Sequence, residues 1–303
     1  MLPLYPTFKN PELEDKKSIE EITDNFPPYS DFNFVSLYSY NTDNDALITN
    51  LNDNLVIKFR DYITNEPFYS FIGNKKVTET AGELLKRAKK ENAMNILQLI
   101  PESVVHADIR LIEDFDVKED PDNFDYVLDV PEIASLEGEK YHNKRHAVNR
   151  FHADNPEHEV KILDVSDCKI QKEIIDLFDL WVKVRNKNIE ETEHEKKAII
   201  RLIQAANKLN LLAIGIYINN KMVGFAVAEI LKNNYAIFHF IKANTEHKGI
   251  FESLYMLKAK ELIKNQIKHW NIEQDLGIEN LKKSKELWRP VGFLKKYIIT
   301  EKE

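Results

Sequence analysis

The sequence LLAIGIYINNKMVGFAVAEILKNNYAIFHFIK, residues 211–242, consists of three apolar runs separated by two pairs of asparagines. The runs are rich in the β-branched and aromatic residues that are typical of strands. The pairs Asn219-Asn220 and Asn233-Asn234 tolerate the positive φ angles that tight hairpin turns require. The stretch therefore predicts an antiparallel meander. Its three predicted strands are residues 211–218, 222–231 and 235–242.

Helix and strand patterns alternate on both sides of this meander. Before it, Ile174, Leu177 and Trp181 follow a spacing of three and four residues, which predicts a long amphipathic helix. The complete order is strand, helix, helix, three antiparallel strands, helix, strand, helix, strand, which indicates a mixed α/β domain with helices flanking a central sheet. Besides the meander, this half has predicted strands at 160–165, 270–274 and 291–299 and predicted helices at 169–187, 193–209, 249–268 and 277–287.

The first half of the chain has a similar order of elements, which is a hint of duplication. The acidic stretch 113–123 is polar and interrupted by Pro121, so we predict an exposed loop there, followed by a strand at 124–130. The basic stretch 139–153 predicts a helix that bridges the two halves. The other predictions here are helices at 13–24 and 77–91, an aromatic segment with a capping residue at 30–40, and strands at 55–60, 68–72 and 96–100.

Length and composition exclude several classes of protein. At 303 residues the chain exceeds a usual domain of about 100 to 200 residues, so we expect two domains. The net charge of −8 argues against a general nucleic-acid coat, because phosphate binding needs lysines and arginines. The sequence shows no secretory leader and no apolar run of about 18 residues, and its single cysteine, Cys168, cannot form an internal disulfide. We therefore predict a cytoplasmic protein without a transmembrane segment.

Three stretches carry a resemblance to a known family. They are SDFNFVSLYSY at residues 30–40, KYHNKRHAVNRF at 140–151 and NIEQDLGIENLKKSKELWRPVGFLKKY at 271–297. Together they resemble a family of bacterial proteins related to the C-terminal domain of phosphatidylglycerol lysyltransferase. The order of elements in the second half is also similar to the GNAT acetyltransferase fold.

This resemblance implies two GNAT-like α/β domains in tandem, distantly similar to the Fem aminoacyltransferases. The implied organisation is a degenerate N-terminal domain at residues 1–137, a basic bridging helix at 138–157 and a C-terminal domain at 158–303. Relatives of this kind move an aminoacyl group from a charged tRNA to a lipid or a peptidoglycan precursor. The resemblance thus implies a transferase, with tRNA or an anionic lipid head group as partners bound through local basic patches.

The expected site for an acyl-CoA cofactor departs from the GNAT pattern. An acyl-CoA-dependent GNAT protein presents Gln/Arg-x-x-Gly-x-Gly/Ala, in which small residues let backbone N–H groups approach the pyrophosphate. In the matching stretch, Gly249 fits the first glycine, whereas Glu246 adds negative charge and Phe251 replaces the small residue. Aminoacyl-tRNA is therefore a better candidate donor than acetyl-CoA. We predict no metal, because His142, His146 and His152 lack a supporting carboxylate motif.

Glu229 is the first candidate for a catalytic base, because acyl transfer needs a group that accepts a proton from the acceptor. It lies in an apolar strand, where burial would raise its pKa. The alternative is a residue at the end of a strand that has already reached solvent. A two-residue turn would put Lys242, a candidate for ligand charge neutralisation, on the same face, while His239 would point the other way.

A second group of candidates lies near the C-terminus. Asn271, Glu273 and Asp275 alternate along a predicted strand, so their side chains would project to one face as substrate-binding and catalytic groups. Alternatively, Asp275 caps the following helix. Tyr297 can supply a phenol that protonates a leaving group, as the resemblance to GNAT enzymes implies, although a tyrosine in a terminal strand can also serve packing.

Two basic clusters are candidates for anion binding. Lys282 and Lys285 share a helix face near Arg289, and Arg145 and Asn149 lie in the basic helix. Lys295 and Lys296 extend the first cluster, and Lys144 and Arg150 extend the second. The alternatives are solvated surfaces or, for the second cluster, ion pairing with the acidic stretch 113–122.

The leading hypothesis is an acyl- or aminoacyltransferase that acts on an amine or hydroxyl of a lipid, peptide or small molecule. The acceptor would attack an activated ester directly, without a covalent enzyme intermediate. One alternative is a CoA-dependent N-acetyltransferase, and another is a non-catalytic binding protein with a GNAT fold. A buried Glu229 facing an open cleft would favour the enzyme, whereas a cleft filled by Phe251 and Tyr255 would favour the binding protein.

Overall fold

The structure of the protein, a computed structural model, describes residues 1–44, 46–61 and 64–302, and for residues 189–191 it describes the backbone only. The chain forms two compact units. Unit 1 consists of Met1–Tyr126, Glu273–Lys282 and Phe293–Glu303, and unit 2 consists of Val127–Ile272 and Lys283–Gly292.

The described chain contains both helices and strands. The helices are α1 (Lys16–Thr23), α2 (Phe34–Tyr40), α3 (Val77–Lys90), α4 (Glu102–Val105), α5 (Arg110–Asp114), α6 (Val130–Ser135), α7 (His142–Asp154), α8 (Cys168–Val184), α9 (Ile189–Gln204), α10 (Ile250–Lys264) and α11 (Glu279–Glu286). The strands are β1 (Ala46–Leu51), β2 (Asn54–Arg60), β3 (Pro67–Ile72), β4 (Leu97–Pro101), β5 (Phe115–Glu119), β6 (Asp125–Asp129), β7 (Glu159–Ile162), β8 (Leu211–Ile218), β9 (Lys221–Ile230), β10 (Tyr235–Ala243), β11 (His269–Asn271), β12 (Gly292–Leu294) and β13 (Lys296–Glu301).

Unit 1 is built on a six-stranded mixed sheet with the order β1-β2-β3-β4-β13-β5. The first three strands form an antiparallel meander, and β4 returns parallel to β3 after the crossover helix α3. Tyr69 and Leu97 form the register pair between these two parallel strands. The division into units differs from the predicted domain 158–303, because β13 pairs with β4 and β5 in this sheet.

The predicted exposed loop at 113–123 is wrong over Phe115–Glu119, which forms β5. This strand pairs with β13 in antiparallel register from Phe115 opposite Glu301 to Glu119 opposite Tyr297. Its polar composition misled the prediction because β5 is the edge strand of the sheet, where one side of the strand remains in solvent. The predicted strand 291–299 is likewise corrected to two strands, β12 and β13.

A buried ionic network connects the last strand of unit 1 to the start of the chain. The Lys296 ammonium is fully buried, lies 2.7 Å from Asp125 Oδ1, and also pairs with the Asp31 carboxylate. Ser30 donates its backbone N–H and its hydroxyl to Asp125, and Gln274 donates its amide to Asp31. Burial alone would lower the pKa of Lys296, but the two carboxylates raise it above its usual value.

Unit 2 contains a seven-stranded mixed sheet with the order β12-β6-β11-β10-β9-β8-β7. The predicted meander is confirmed, and β8, β9 and β10 begin and end within one residue of the predicted bounds. Its turns have the positive φ values expected of the asparagines, between 50° and 63°. Mixed sheets flanked by helices confirm the predicted α/β class. The predicted basic helix is confirmed as α7, which packs against α10 within unit 2.

Helices cover both faces of this sheet. Gly224 and Ala226 of β9 face α10, because Leu254 and Ile250 contact Gly224 and pack with Ala226 in one apolar cluster. The alternate residues Phe225, Val227 and Glu229 point to the opposite face, where α8 packs against β9 and β10. Among the described residues, no helix is both long enough and apolar enough to cross a membrane.

The pairing between the two parallel strands β10 and β11 of unit 2 is short. Strand β10 continues to Ala243, but its pairing with β11 covers only three register pairs and ends at Ile237 opposite Asn271. We call the place where this pairing ends the fork. The predicted strand 270–274 is therefore too long, because β11 ends at Asn271.

Replacing Lys296 by Met should strongly destabilise the protein, because Asp31 and Asp125 would remain buried without a cation. The expected loss is about 3 to 5 kcal/mol of unfolding free energy in urea titrations. Burial raises the pKa of Asp31, and loss of the ammonium that opposes this effect would raise it further in the folded state, so its neutral form fits the fold. The variant should therefore lose less stability at pH 5 than at pH 8.

The neighbouring Lys295 supplies a matched control, because it is 39% exposed and pairs with Glu119 at 2.7 Å. Lys295→Met should cost less than about 1 kcal/mol. Equal effects of the two substitutions would contradict the assignment of Lys296 as the buried cation of unit 1.

Candidate active site

Glu229 and His239 form a buried pair at the fork in unit 2. Their side chains are only 2% and 1% exposed, and Glu229 Oε2 lies 3.7 Å from His239 Nε2. The alternative in which Glu229 has reached solvent is therefore wrong. His239 Nε2 makes no hydrogen bond to the described residues. This nitrogen is therefore available to hydrogen-bond to a ligand or to a water molecule.

A β-bulge brings His239 to Glu229. In the register of β9 and β10, Ile237 lies opposite Glu229 and Phe240 lies opposite Val227, with a shift between Phe238 and Phe240. His239 is therefore an extra residue that breaks the alternation of side chains. The prediction that His239 points away from Glu229 is wrong for this reason. No local pattern in the sequence predicts the bulge.

The amide of Asn271 lies level with Glu229 at the fork. Ile237 is the register partner of Glu229 on β9 and of Asn271 on β11, and directly paired residues project to the same face. Asn271 is fully buried. A carboxylate, an imidazole and a carboxamide thus surround the point where the strands separate, which suits proton transfer and hydrogen bonding to a polar reactant.

Lys242 shares the face of Glu229, as predicted, because it lies opposite Phe225. Its ammonium lies 2.6 Å from Glu195 Oε1 on α9 and 4.2 Å from the ring centroid of Trp181 on α8. The Lys242 ammonium thus forms an ion pair with a carboxylate and a cation–π contact with an aromatic ring. A ligand anion at Lys242 would compete with Glu195.

The aromatic residues of α10 do not fill the Glu229 face. The Tyr255 ring stacks on Trp288 with ring centroids 4.2 Å apart and also contacts Trp270 at 5.2 Å. Phe251 packs against the apolar cluster that contains Leu254. Since α10 covers the face of the sheet opposite to Glu229, neither ring plugs the candidate site.

The N-terminus of α10 is closed by backbone. Gly249 has a φ of +82°, and a Cβ at this position would collide with the carbonyl group of Ala147 on α7. The N–H of Ile250 donates to the carbonyl of His247 at 3.3 Å, and the Glu246 carboxylate accepts from the Asn244 amide at 3.0 Å. One N–H donor and the space beside Gly249 that a pyrophosphate would need are therefore already occupied.

Asn271, Glu273 and Asp275 do not share one face, because β11 ends at Asn271. Glu273 has a φ of +62°, so it does not continue the alternation from Asn271. Asp275 is buried, accepts from the Tyr126 hydroxyl at 2.5 Å, and accepts from the N–H of Gly277 at 2.8 Å. The bond to Gly277 closes a turn before α11 begins at Glu279, so Asp275 orders this turn and does not cap the helix itself. Both residues belong to unit 1.

Tyr297 lies on β13 in the sheet of unit 1, not in the sheet that carries Glu229. Its hydroxyl is 3.4 Å from Glu119 Oε1 and 3.5 Å from Glu102 Oε1. Burial and then these two carboxylates raise the pKa of Tyr297, which makes its proton harder to release.

The predicted lysine patch is wrong in two of its members. Lys285 is buried and donates to the carbonyl of Ile272, and Lys296 belongs to the buried network of unit 1. The i, i+3 spacing of Lys282 and Lys285 placed them correctly on a helix, but it did not reveal that Lys285 points inward. Lys282 is half-buried on α11 in unit 1.

The basic helix α7 also uses part of its charge internally. The Arg145 guanidinium donates to the carbonyls of Leu136 and Gly138, the latter at 2.6 Å. The Lys144 ammonium lies 3.3 Å from Glu252. Asn149 is exposed. Within the part of the chain that the structure describes, no group of three or more His, Cys, Asp or Glu side chains could hold a metal ion.

The motif residues that sequence reasoning missed lie in unit 1. Ser30, Asp31 and Gln274 come from the first and third of the stretches that carry the family resemblance, and the network around Lys296, which the sequence had assigned to a basic cluster, brings them together. The available signal was the shared motif text. Its polar residues suggested surface chemistry, whereas the structure uses them as a buried ionic core.

Comparison with known proteins shows the family of the chain. Residues 26–300 match the family of the C-terminal domain of phosphatidylglycerol lysyltransferase, so the chain belongs to that family. A conserved protein of unknown function from Bacteroides thetaiotaomicron VPI-5482 is similar, with 28% identity, full coverage of both chains and a TM-score of 0.84. A comparison with curated proteins gives no significant match.

Two further solved structures share the fold. The C-terminal domain of a proposed lysylphosphatidylglycerol synthetase from Agrobacterium fabrum has 11% identity and a TM-score of 0.67, over 96% of this chain and 92% of that one. L-PGS from Bacillus licheniformis has 12% identity and a TM-score of 0.65, over 97% of this chain and 93% of that one. The predicted family resemblance is thereby confirmed.

Acetyl-CoA should bind weakly, because the Ala147 carbonyl and the internal hydrogen bonds occupy the N-terminus of α10. We expect a Kd above about 1 mM by isothermal titration calorimetry. Glu246→Gln removes the negative charge but leaves the backbone in place. The affinity of the variant for acetyl-CoA should therefore exceed that of the parent by no more than about tenfold. A micromolar Kd for the parent would contradict this assignment, and rescue to micromolar binding in the variant would show that charge alone excludes the cofactor.

Proposed function

We propose that the protein transfers an aminoacyl group from an activated ester to a lipid acceptor, with Glu229 as general base. The observation that carries this proposal is the burial of Glu229 at the fork, 3.7 Å from His239 and level with Asn271. The family supports it, because the relatives for which it is named are phosphatidylglycerol lysyltransferases.

The chemistry follows from the three groups at the fork. The acceptor hydroxyl or amine gives its proton to Glu229 as its oxygen or nitrogen bonds to the ester carbonyl carbon. In the reacting complex, His239 Nε2 closes the 3.7 Å gap to Glu229, accepts a hydrogen bond from the protonated carboxyl group and so holds it in position. The amide of Asn271 donates to the oxyanion of the tetrahedral intermediate. The bond from carbon to the donor oxygen then breaks, and that oxygen takes the proton back.

We further propose aminoacyl-tRNA as the donor. The ester that joins an amino acid to the ribose of tRNA is activated for attack, and a donor of this kind needs no pyrophosphate site at α10. The closure of that helix end by Ala147 and Glu246 supports a donor other than acetyl-CoA. The same closure argues against the alternative function, a CoA-dependent N-acetyltransferase.

We also propose that the two units are GNAT-like domains in tandem, the first degenerate. Each unit has a three-stranded meander, a crossover helix and a parallel strand, namely β1–β3, α3 and β4 in unit 1 and β8–β10, α10 and β11 in unit 2. Level with the parallel pair of unit 1, the middle strand carries Lys58 in place of a buried carboxylate, and Lys58 pairs with Glu91 at 2.7 Å. This difference supports chemistry in unit 2.

A transfer assay tests the proposal. Vesicles containing phosphatidylglycerol are incubated with tRNA charged with radiolabelled amino acids, lysine first, and label in the lipid fraction is counted. The parent should transfer at least one amino acid. Glu229→Gln should lower the rate at least about hundredfold, because removal of a general base typically costs about 10² to 10⁴ in rate.

Glu252→Gln is the matched control, because Glu252 lies in unit 2 on α10 and pairs with Lys144 away from the fork. This variant should keep the parent rate within about threefold. Absence of lipid label with every charged tRNA, or a Glu229→Gln variant as active as the control, would refute the proposal.

A further inference from the structure

The turn that follows α11 exposes apolar side chains on a fixed backbone. Leu287 is 54% exposed and Val291 is 53% exposed, and they flank Trp288, Arg289 and Pro290. Both residues belong to unit 2 and lie four positions apart in this one turn. Exposed apolar residues scattered singly are ordinary, but two in one short turn favour an interaction surface.

Contacts within unit 2 hold this turn in place. The Trp288 side chain is buried, stacks on Tyr255 and has the Lys144 ammonium 4.2 Å from its ring centroid. The Tyr141 hydroxyl donates to the Trp288 carbonyl at 3.3 Å, and the N–H of Val291 donates to the carbonyl of Val127 at 2.8 Å. The exposure of the two aliphatic side chains is therefore built into the fold.

The charge of this stretch is opposite to that of the whole chain. Residues 283–292 contain Lys283, Lys285, Arg289 and Glu286, and the three that are exposed, Lys283, Arg289 and Glu286, give a surface charge of +1, against a net charge of −8 for the protein. Lys283 and Arg289 are exposed, whereas Lys285 is buried. Aliphatic residues next to exposed cations complement the surface of an anionic bilayer, where acyl chains lie beneath phosphate groups.

We propose that the turn 287–291 docks unit 2 onto an anionic lipid bilayer. Leu287 and Val291 enter the boundary between head groups and acyl chains, and Arg289 and Lys283 contact the lipid phosphates. The mixed surface favours a bilayer over a soluble protein partner, because a bilayer accepts both kinds of side chain from one exposed turn. Docking goes beyond the proposed transfer reaction and is separable from it, since vesicle binding needs no aminoacyl donor.

Vesicle sedimentation without any donor tests the docking surface. The full chain should sediment with vesicles made of equal parts phosphatidylglycerol and phosphatidylcholine, and not with phosphatidylcholine alone. Leu287→Ser with Val291→Ser should lower the partition coefficient at least about tenfold, because two apolar side chains lose their burial. Arg289→Ala should lower it about fivefold and weaken its dependence on salt.

Val160→Ser with Ile162→Ser is the matched control. These residues are 40% and 58% exposed on β7 of the same unit. In the sheet, β9 and β8 lie between β7 and the strand β10 that forms the fork. The control should bind vesicles as the parent does. The single substitution Val291→Ser, which removes one exposed side chain, should lower binding by an intermediate amount and repeats the test if the double variant is unstable.

The outcomes separate cleanly. Equal binding by the parent and the Leu287/Val291 variants, equal losses in the β7 control, or no parent binding to anionic vesicles would each overturn the docking surface. Binding to phosphatidylcholine as strong as to the anionic mixture would also overturn it, because the cations would then play no part. Vesicle binding with no aminoacyl transfer would retain the docking surface and remove the proposed function.

Discussion

The short pairing between the parallel strands β10 and β11 is the constraint on which the candidate site depends. Parallel strands need a crossover connection, which is α10 here, and β11 meets β10 over only three register pairs. Beyond Ile237, β10 therefore keeps β9 as its paired neighbour and is no longer paired with β11. The fork puts Glu229, on the buried face of the meander, level with the last residue pair of the two parallel strands.

The two units treat buried charge in different ways. In unit 1, the Lys296 ammonium meets two carboxylates, and Ser30 and Gln274 supply further hydrogen bonds. Each buried charge of this network has a partner, so we assign the network a structural role. In unit 2, Glu229 and His239 are also buried, 3.7 Å apart, and His239 Nε2 has no hydrogen bond to the described residues. This imidazole nitrogen supports the chemistry that we propose for unit 2.

Much of the fold could be predicted because its signals are local. The asparagine pairs and the apolar runs determine the meander, and Gly249 marked the start of α10, where the backbone needs positive φ. The bulge at His239 could not be predicted, because it follows from a register shift between two strands. The edge strand β5 and the inward turn of Lys285 depend on distant partners, Tyr297 and the Ile272 carbonyl, that no local pattern contains.

The central claim is that Glu229 and His239 act as one unit at the fork. Single-turnover transfer rates of the parent, Glu229→Gln, His239→Gln and the double variant test it most directly. Residues that act together lose their effect together, so we predict that the double variant is no slower than the slower single variant. Losses that multiply, or a His239→Gln variant with the parent rate, would contradict the account.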